Sequence, residues 1–194
     1  MRKKSAKRAC EWFNIEVQSV RDYTTATNTL SDEHVSWCHD QAIIRLYRAF
    51  ENLMLSCLIC AINNDTNLLS RNTGISFPKH LTDEVCEYII NGEGYFDFRG
   101  RDGLIKTLKR YVSQEHYLLK AVSKEEYRVS LEQLSALRNF AAHDSYPSKK
   151  SALHATGQKK MGSAGSWLKR HGRLGAICDD LKKLSDAIHD AAPY

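Results

Sequence analysis

Residues 31–63, SDEHVSWCHDQAIIRLYRAFENLMLSCLICAIN, decide the fold of this chain. Ser31, Asp32 and Glu33 are typical of a helix start, because serine caps free amides and acidic side chains suit the positive end of the helix dipole. The polar residues from Asn63 onward indicate its end. In between, apolar residues recur three and four positions apart, which predicts one long helix with a buried face. That face contains Val35, Trp37, Ile43, Ile44, Tyr47, Phe50, Leu53, Met54, Leu58 and Ile62.

Outside this segment the sequence also favours helices, with few signals for strands. Helical spacing or capping residues predict helices at residues 10–25, 82–90, 102–112, 123–143 and 167–191. Residues 66–81 are interpreted as a loop, and residues 95–98 as a short extended segment without a second strand. Glycine, proline, lysine and serine predict a flexible basic loop at residues 145–166. We therefore predict an all-α bundle of four or more helices, with short helices and a loop inserted, in a single domain spanning residues 1–194.

The composition excludes several classes of protein. The chain has 194 residues, of which 42% are hydrophobic and 26% charged, and this is ordinary for a globular domain with its own core. The sequence has no run of 18 apolar residues, so we expect no membrane association. The basic start, MRKKSAKRAC, is not followed by an apolar segment, which argues against a secretory signal. Six cysteines then indicate free thiols in a reducing compartment, the cytoplasm.

Basic residues are concentrated in two segments. Residues 1–8 contain five lysines and arginines, and residues 147–173 contain seven. All 23 acidic residues lie elsewhere, although the net charge of the whole chain is only +5. This segregation favours contact of two mobile basic segments with a polyanion, of which RNA and DNA are the leading candidates. The alternative is that the basic segments only keep the protein soluble.

The most informative motif is LSALRNFAAHD, residues 134–144, at the end of an apolar helix. Asn139 and His143 are four positions apart and share a helical face, whereas Arg138 and His143 are about 140° apart around an ideal helix. Imidazole transfers protons near neutral pH, guanidinium binds phosphate oxygens, and an amide supports either group. This set suits metal-independent cleavage of RNA through its 2′-hydroxyl. A purely structural role is the alternative, because the helix dipole favours a histidine in a last turn.

The segment Arg138-Asn139-Phe140-Ala141-Ala142-His143 resembles the R-N-x-x-x-H form of the motif of HEPN domains. Its leucine-rich context is most similar to the RiboL-PSP type and related HEPN proteins of bacterial defence and toxin–antitoxin operons. The resemblance implies a HEPN-like helical bundle and a metal-independent endoribonuclease without cofactors. It also implies a homodimer in which the motif helices of two subunits form one RNA-cleaving cleft, working beside a co-encoded antitoxin or defence protein.

The resemblance also implies roles for individual residues. Arg138 and His143 would be catalytic, with Asn139 as a supporting polar residue. HEPN domains often have an acidic residue on an earlier long helix facing the motif, and Glu51 is the candidate here. An exposed glutamate paired with a neighbouring base is the alternative for Glu51. Some HEPN toxins carry a modified tyrosine two residues after the histidine, but here that position is Ser145.

Basic residues and cysteines outside the motif are further candidates for a functional role. The second basic segment predicts RNA contacts by Lys149, Lys150, Lys159, Lys160, Lys169 and Arg170. Cys57 and Cys60 form a single C-x-x-C in an apolar run, which indicates buried thiols, because a structural zinc site needs four ligands. We therefore predict no metal site. The alternative to a nuclease is a non-catalytic HEPN-like module that binds RNA or a co-encoded protein.

Overall fold

The computed structural model describes residues 4–193, which form ten α-helices and no strand. The helices are α1 (Ala6–Ala26), α2 (Asp32–Asn64), α3 (Asn67–Thr73), α4 (Asp83–Asn91), α5 (Gly100–Leu108), α6 (Tyr117–Ser123), α7 (Arg128–His143), α8 (Tyr146–Thr156), α9 (Ala164–Leu168) and α10 (Arg173–Ala191). The prediction of an all-α bundle is confirmed. None of the helices within residues 4–193 is long and apolar enough to cross a membrane.

The four long helices α1, α2, α7 and α10 form a closed ring in which each neighbouring pair is antiparallel. Successive contacts give the directions. Phe13 of α1 packs against Phe50 of α2 and Glu16 pairs with the earlier Arg45, and Arg138 of α7 packs against Tyr47 while the charge of the later Asp144 acts on the earlier Asp40. Along α1 and α10, Arg21 pairs with Asp179, which precedes the Asp186 that Asn14 contacts. α10 closes the ring, where Asn14 donates a hydrogen bond to Asp186 and Ser130 donates one to Asp180. The centre of α2 is therefore the core, with Tyr47, Phe50, Leu53, Met54 and Leu58 fully buried.

The long helix α2 begins where the sequence predicts it. The Ser31 side chain accepts a hydrogen bond from the amide of His34, and Asp32 and Glu33 occupy the first turn. The short segment before α5 completes the core, because Phe98 is buried against the rings of Tyr47 and Phe50. Residues 95–98 therefore form an irregular connection, packed by its last aromatic ring, and not a strand.

The prediction of a flexible basic loop at residues 145–166 is wrong. Ser145 forms a reciprocal capping box with Ser148 and starts α8, and Ser163 forms another with Ser166 and starts α9. The same serines that suggest a loop by composition act here as helix caps. Only the short connection between α8 and α9 is irregular.

Other helix boundaries also differ from the prediction. Residues 66–81 contain α3, and α6 was not anticipated. The predicted helix at 123–143 begins with a 3₁₀ turn, Glu125–Tyr127. The predicted helix at 167–191 is interrupted between α9 and α10, where His171 and Gly172 both have positive φ.

The basic N-terminal tail predicted at residues 1–8 is partly helix. α1 starts at Ala6, so Lys7 and Arg8 belong to it. The backbone amide of Lys4 donates a hydrogen bond to Asp83, and its ammonium lies 3.6 Å from a carboxylate oxygen of Glu87. Residues 1–3 of the predicted tail lie outside the described residues.

The short helix α9 lies unusually close to α2. A Cβ atom built on Gly165 would lie 1.9 Å from the carbonyl oxygen of Ser36, so no other residue fits at this position without movement of backbone. The amide of Gly165 donates a hydrogen bond to the carboxylate of Asp40, which is partly buried. Burial, the largest cause, raises the pKa of Asp40. This contact fixes the chain downstream of α8 against the first half of α2.

Candidate functional site

The candidate motif lies at the C-terminal end of α7, where the helix packs against α2. The helix ends after His143, because Asp144 adopts a left-handed conformation with φ of 40° and α8 begins directly afterwards. His143 is exposed, and its imidazole makes no hydrogen bond within the described part of the chain. The sequence predicts that Arg138 and His143 can approach each other only if the helix ends near His143 or the arginine side chain wraps around it, and the helix ends there.

Arg138 is held by two contacts. Its guanidinium carbon lies 4.5 Å from the centre of the Tyr47 ring, which is a cation–π contact across the α7–α2 interface. One terminal nitrogen donates a hydrogen bond of 2.7 Å to the side-chain oxygen of Asn139. Because both contacts restrict the side chain, Arg138 presents its remaining N–H donors in a defined direction. Asn139 is therefore a support for Arg138.

Tyr47 connects this arginine to the core. Its hydroxyl donates to the carbonyl oxygen of Phe98 at 2.9 Å and lies 3.3 Å from a carboxylate oxygen of Asp97. Burial raises the pKa of Tyr47, and the negative charges of Glu51 and Asp97 raise it further. The tyrosine therefore stays neutral at any physiological pH and serves as a platform for Arg138.

Glu51 lies one helical turn after Tyr47, on the side of α2 that faces the motif. Burial raises the pKa of Glu51 to about 7, with a further contribution from Asp97. Arg138, Tyr47 and Arg48 oppose this shift without cancelling it. Glu51 therefore exchanges a proton near neutral pH, a property of groups that act in acid–base catalysis.

The structure thus brings three of the four candidate catalytic residues together. Glu51, Asn139 and Arg138 form one cluster with Tyr47 and Asp97, which we call the Arg138 cluster. His143 lies five residues after Arg138, about 7.5 Å along the helix axis, and has no contact with the cluster. One chain therefore places the imidazole beside the cluster but not within it.

Tyr47 and Asp97 are members of the cluster that the sequence analysis missed. Tyr47 belongs to the apolar stripe of α2, so its spacing indicates only burial. Asp97 lies in a segment without helical periodicity. A sequence signal does exist for Tyr47, since it precedes the candidate Glu51 by four positions on the same helix.

Three of the predicted RNA-binding lysines converge on one surface pocket. Lys149, Lys159 and Lys160 line a pocket of about 450 Å³ beside Met161, at the end of α8. The ammonium of Lys149 also lies 5.8 Å from the centre of the Phe140 ring on α7. Lys150 is exposed but does not line the pocket. α8 therefore places positive charge next to the motif helix.

Lys169 is not available for RNA, which corrects the prediction. Only 7% of its side chain is exposed, and its ammonium lies 2.7 Å from a carboxylate oxygen of Asp32. It also donates to the Asp32 carbonyl oxygen and to the Ser36 hydroxyl. The hydrogen bond and charge of Lys169 lower the pKa of Asp32. Lys169 thus attaches the end of α9 to the start of α2, whereas its neighbour Arg170 is exposed.

The cysteines are free thiols, as predicted, and Cys57 and Cys60 are buried. Cys10 of α1 faces Cys57 of α2, and an interaction with Cys57 is the largest cause that lowers the pKa of Cys10. Between residues 4 and 193, no three histidine, cysteine, aspartate or glutamate side chains are grouped to hold a metal ion.

Comparison with known proteins identifies no relative: no protein-family model, no curated protein and no solved structure matches the chain.

Proposed function

We propose that the chain is a metal-independent endoribonuclease of the HEPN type, acting in the cytoplasm as a toxin or an anti-phage defence effector. In this proposal two subunits form the RNA-cleaving cleft. The observation that carries the proposal is the Arg138 cluster, in which a restrained guanidinium lies close to Glu51, a carboxyl group with a pKa of about 7. A cation that binds phosphate next to a group that exchanges protons at neutral pH is what phosphodiester transesterification requires.

The proposed reaction uses the 2′-hydroxyl of RNA as the nucleophile. The 2′-oxygen attacks phosphorus, its proton passes to a general base, the bond from phosphorus to the 5′-oxygen breaks, and that oxygen takes a proton from a general acid. The products are a 2′,3′-cyclic phosphate and a 5′-hydroxyl. His143 takes one of the two proton-transfer roles, and Glu51 is suited to the other. Arg138 stabilises the negative charge that develops on the phosphate oxygens.

The test is RNA cleavage by matched variants. His143→Ala should lose on the order of 10²–10⁴ in rate, the usual contribution of a general acid or base. Arg138→Ala should lose a comparable factor, and Arg138→Lys should not recover it fully, because lysine lacks the forked donors of arginine. His154→Ala, an exposed histidine in the last turn of α8, and Arg128→Ala, at the start of α7, are the controls and should stay active.

Two further conditions make this test specific to the mechanism. A chelator should leave the wild-type protein active, and deoxyribose at the scissile position should block cleavage. Loss of activity in chelator, or full activity of His143→Ala, contradicts the mechanism. The variants should remain folded. His143 is exposed, and Arg138 is only partly buried and lies over the face of the Tyr47 ring.

The second candidate is a non-catalytic module that binds RNA or a co-encoded protein. The observation in its favour is the pocket lined by Lys149, Lys159 and Lys160, which offers positive charge without a group for chemistry. Binding of RNA by a wild-type protein that cleaves none of the RNAs offered would make this candidate the better one.

A further inference from the structure

A groove between α1 and α2 shares no lining residue with the Arg138 cluster and belongs to neither of the sites described above. Its volume is about 640 Å³, which is in the range of pockets that bind small ligands. It is lined by the start of α1 and the middle of α2, which contribute charged and polar side chains, the Trp12 ring and apolar side chains; the cations are Lys4, Arg8, Arg45 and Arg48.

Two of the four cations in the groove are free to bind a ligand. Arg45 forms an ion pair with Glu16 at 2.9 Å, and Lys4 lies 3.6 Å from Glu87. Arg8 and Arg48 are exposed, and neither side chain has a hydrogen bond or an ion pair within residues 4–193. The groove therefore presents one unpaired guanidinium on each of its two walls.

The same groove carries a large exposed aromatic ring. Trp12 has 66% of its surface exposed, although the indole is among the side chains that proteins bury most effectively. Arg8 and Trp12 are four positions apart and lie on one face of α1. A flat ring next to a forked cation is the arrangement on which a nucleobase stacks while its phosphate is bound.

The positive charge of the groove and its exposed indole favour a nucleic acid over a protein helix as its occupant. A helix that binds in a groove needs apolar surface to bury its own apolar face. Here the apolar residues of the floor are already covered, since Phe13 and Leu53 are each only 2% exposed. Most of the accessible surface of the groove is nonetheless apolar, and among its charged groups four cations stand against one carboxylate, that of Glu16. The exposed indole of Trp12 and this excess of positive charge suit a base and phosphates.

The position of Arg48 connects the groove to the Arg138 cluster. Arg48 precedes Glu51 by three positions on α2, so the two side chains are neighbours on the helix surface. The charge of Arg48 acts on the Glu51 carboxyl. A strand bound at the cluster can therefore continue past Arg48 into the groove.

We propose that the groove between α1 and α2 binds single-stranded RNA next to the scissile bond, with a base stacked on Trp12 and phosphates bound by Arg8 and Arg48. This assignment rests on the proposed function, because it makes the groove a part of the path of the substrate. It extends the RNA contacts to a surface that contains none of the motif residues and none of the lysines of α8.

Binding of an oligonucleotide that cannot be cleaved tests this assignment separately from catalysis. The probe is a short fluorescein-labelled 2′-O-methyl oligoribonucleotide of mixed sequence, titrated with the full chain and followed by anisotropy. Trp12→Ala should weaken binding about 5-fold to 100-fold, and Trp12→Phe should keep most of the affinity, because stacking tolerates any flat ring. Replacing both Arg8 and Arg48 by alanine should lower the slope of log K against log salt by about 0.7 for each lost phosphate contact.

The controls are matched in exposure and residue type. Tyr88→Ala removes an aromatic ring that is 65% exposed on α4, and Arg71→Ala removes an exposed arginine on α3. Both should bind the probe as the wild type does. All the changed side chains are exposed, so a thermal melt of each variant should match that of the wild type.

The outcomes separate this assignment from the proposed function. The RNA groove is overturned if the Trp12 and arginine variants keep the affinity and salt slope of the wild type, or if the wild type does not bind the probe. In that case, an acidic amphipathic peptide that binds the wild type but not Trp12→Ala would identify a protein partner. Cleavage of RNA that the groove variants leave unchanged supports the nuclease and contradicts the groove. If the wild-type protein cuts no RNA but the groove variants bind the probe more weakly than it does, the result supports the groove and contradicts the nuclease.

Discussion

Glu51 is a residue whose pKa is moved into the physiological range. It is partly buried beside Tyr47 and Arg138, and its pKa is raised from 4.5 to about 7. The folded protein thus holds this proton more tightly than the unfolded chain does. The contribution of Glu51 to stability is therefore largest below pH 4.5 and decreases as the pH rises towards 7.

Glu51→Gln should remove this pH dependence, because glutamine does not ionise. At pH 8 the variant should have a higher free energy of unfolding than the wild type, because glutamine avoids a buried charge. At pH 4 the two proteins should be nearly equal, since the carboxyl group is then protonated in both states. Urea unfolding at the two pH values measures the difference, and Glu93→Gln, in an exposed turn, is the control.

The same variant tests the role of Glu51 in cleavage. If Glu51 is the second proton-transfer group, the pH–rate profile of Glu51→Gln should lose its limb near pH 7, and the rate should fall on the order of 10²-fold or more. A profile identical in shape to that of the wild type would remove Glu51 from the mechanism and leave it with a positioning role.

Much of the candidate site can be predicted residue by residue from the sequence. The pairing of Glu51 with the motif was predicted from a resemblance, and the structure brings the two together. The platform of Tyr47 was not predicted, because an aromatic residue in an apolar stripe indicates burial and carries no information about which cation covers its ring. Lys169 was misjudged for a related reason, since sequence alone does not show that Asp32 lies within its reach.

At the scale of elements, α8 and α9 are the largest difference between prediction and structure. Glycine, proline and serine suggest a loop by composition, but the positions of the serines, three residues before a bonding partner, are those of helix caps. The long helices were predicted because their apolar spacing extends over many turns. Helices of five to eleven residues have too few turns for that signal.

The contact of α9 with α2 leads to a prediction about stability. Gly165→Ala should destabilise the protein by about 3 kcal/mol or more, because its Cβ would overlap the backbone of Ser36 and overpacking commonly costs 1–3 kcal/mol. Gly175→Ala, in α10, is the control, since its Cβ would meet nothing within 4 Å. That substitution should raise the stability by about 0.5–1 kcal/mol through helix propensity. Equal unfolding midpoints for the two variants would contradict the close packing.

The lysine pocket of α8 gives a second prediction at this scale. Replacing Lys149, Lys159 and Lys160 by glutamine should weaken RNA binding and lower its salt slope by about 0.7 per lost contact on single strands, without changing the chemical step. Lys150→Gln alone should have a smaller effect, because Lys150 does not line the pocket. An unchanged slope in the triple variant would show that the pocket does not bind phosphates.

At the scale of the whole molecule, the proposed cleft requires two chains. Within one chain His143 does not contact the Arg138 cluster. In the proposed cleft, the arginine of one subunit therefore acts on the same phosphate as the histidine of the other subunit, across a two-fold axis. We expect a dimer in solution in which the C-terminal ends of the two α7 helices face each other. Sedimentation analysis measures the oligomeric state.

Mixing two inactive variants tests whether the site is shared. A heterodimer of Arg138→Ala with His143→Ala keeps one intact pair if the pair is formed between subunits, so an equal mixture should recover about a quarter of the wild-type activity. If each site uses the arginine and histidine of one chain, the mixture stays inactive. Confirming that subunits exchange, by mass analysis of tagged chains, is the control.

The arrangement of neighbours around α2 has a consequence for the motions of the molecule. α1, α4, α7 and α9 all pack against this helix, so no stretch of it opens without uncovering another element. We therefore expect its central amides to exchange their hydrogens only when the whole protein unfolds, whereas α3, in which only Leu69 is buried, can open locally. Tyr47 and Glu51 thus belong to the part of the chain that opens most slowly. Local opening of the outer helices therefore leaves the Tyr47 ring in position under Arg138.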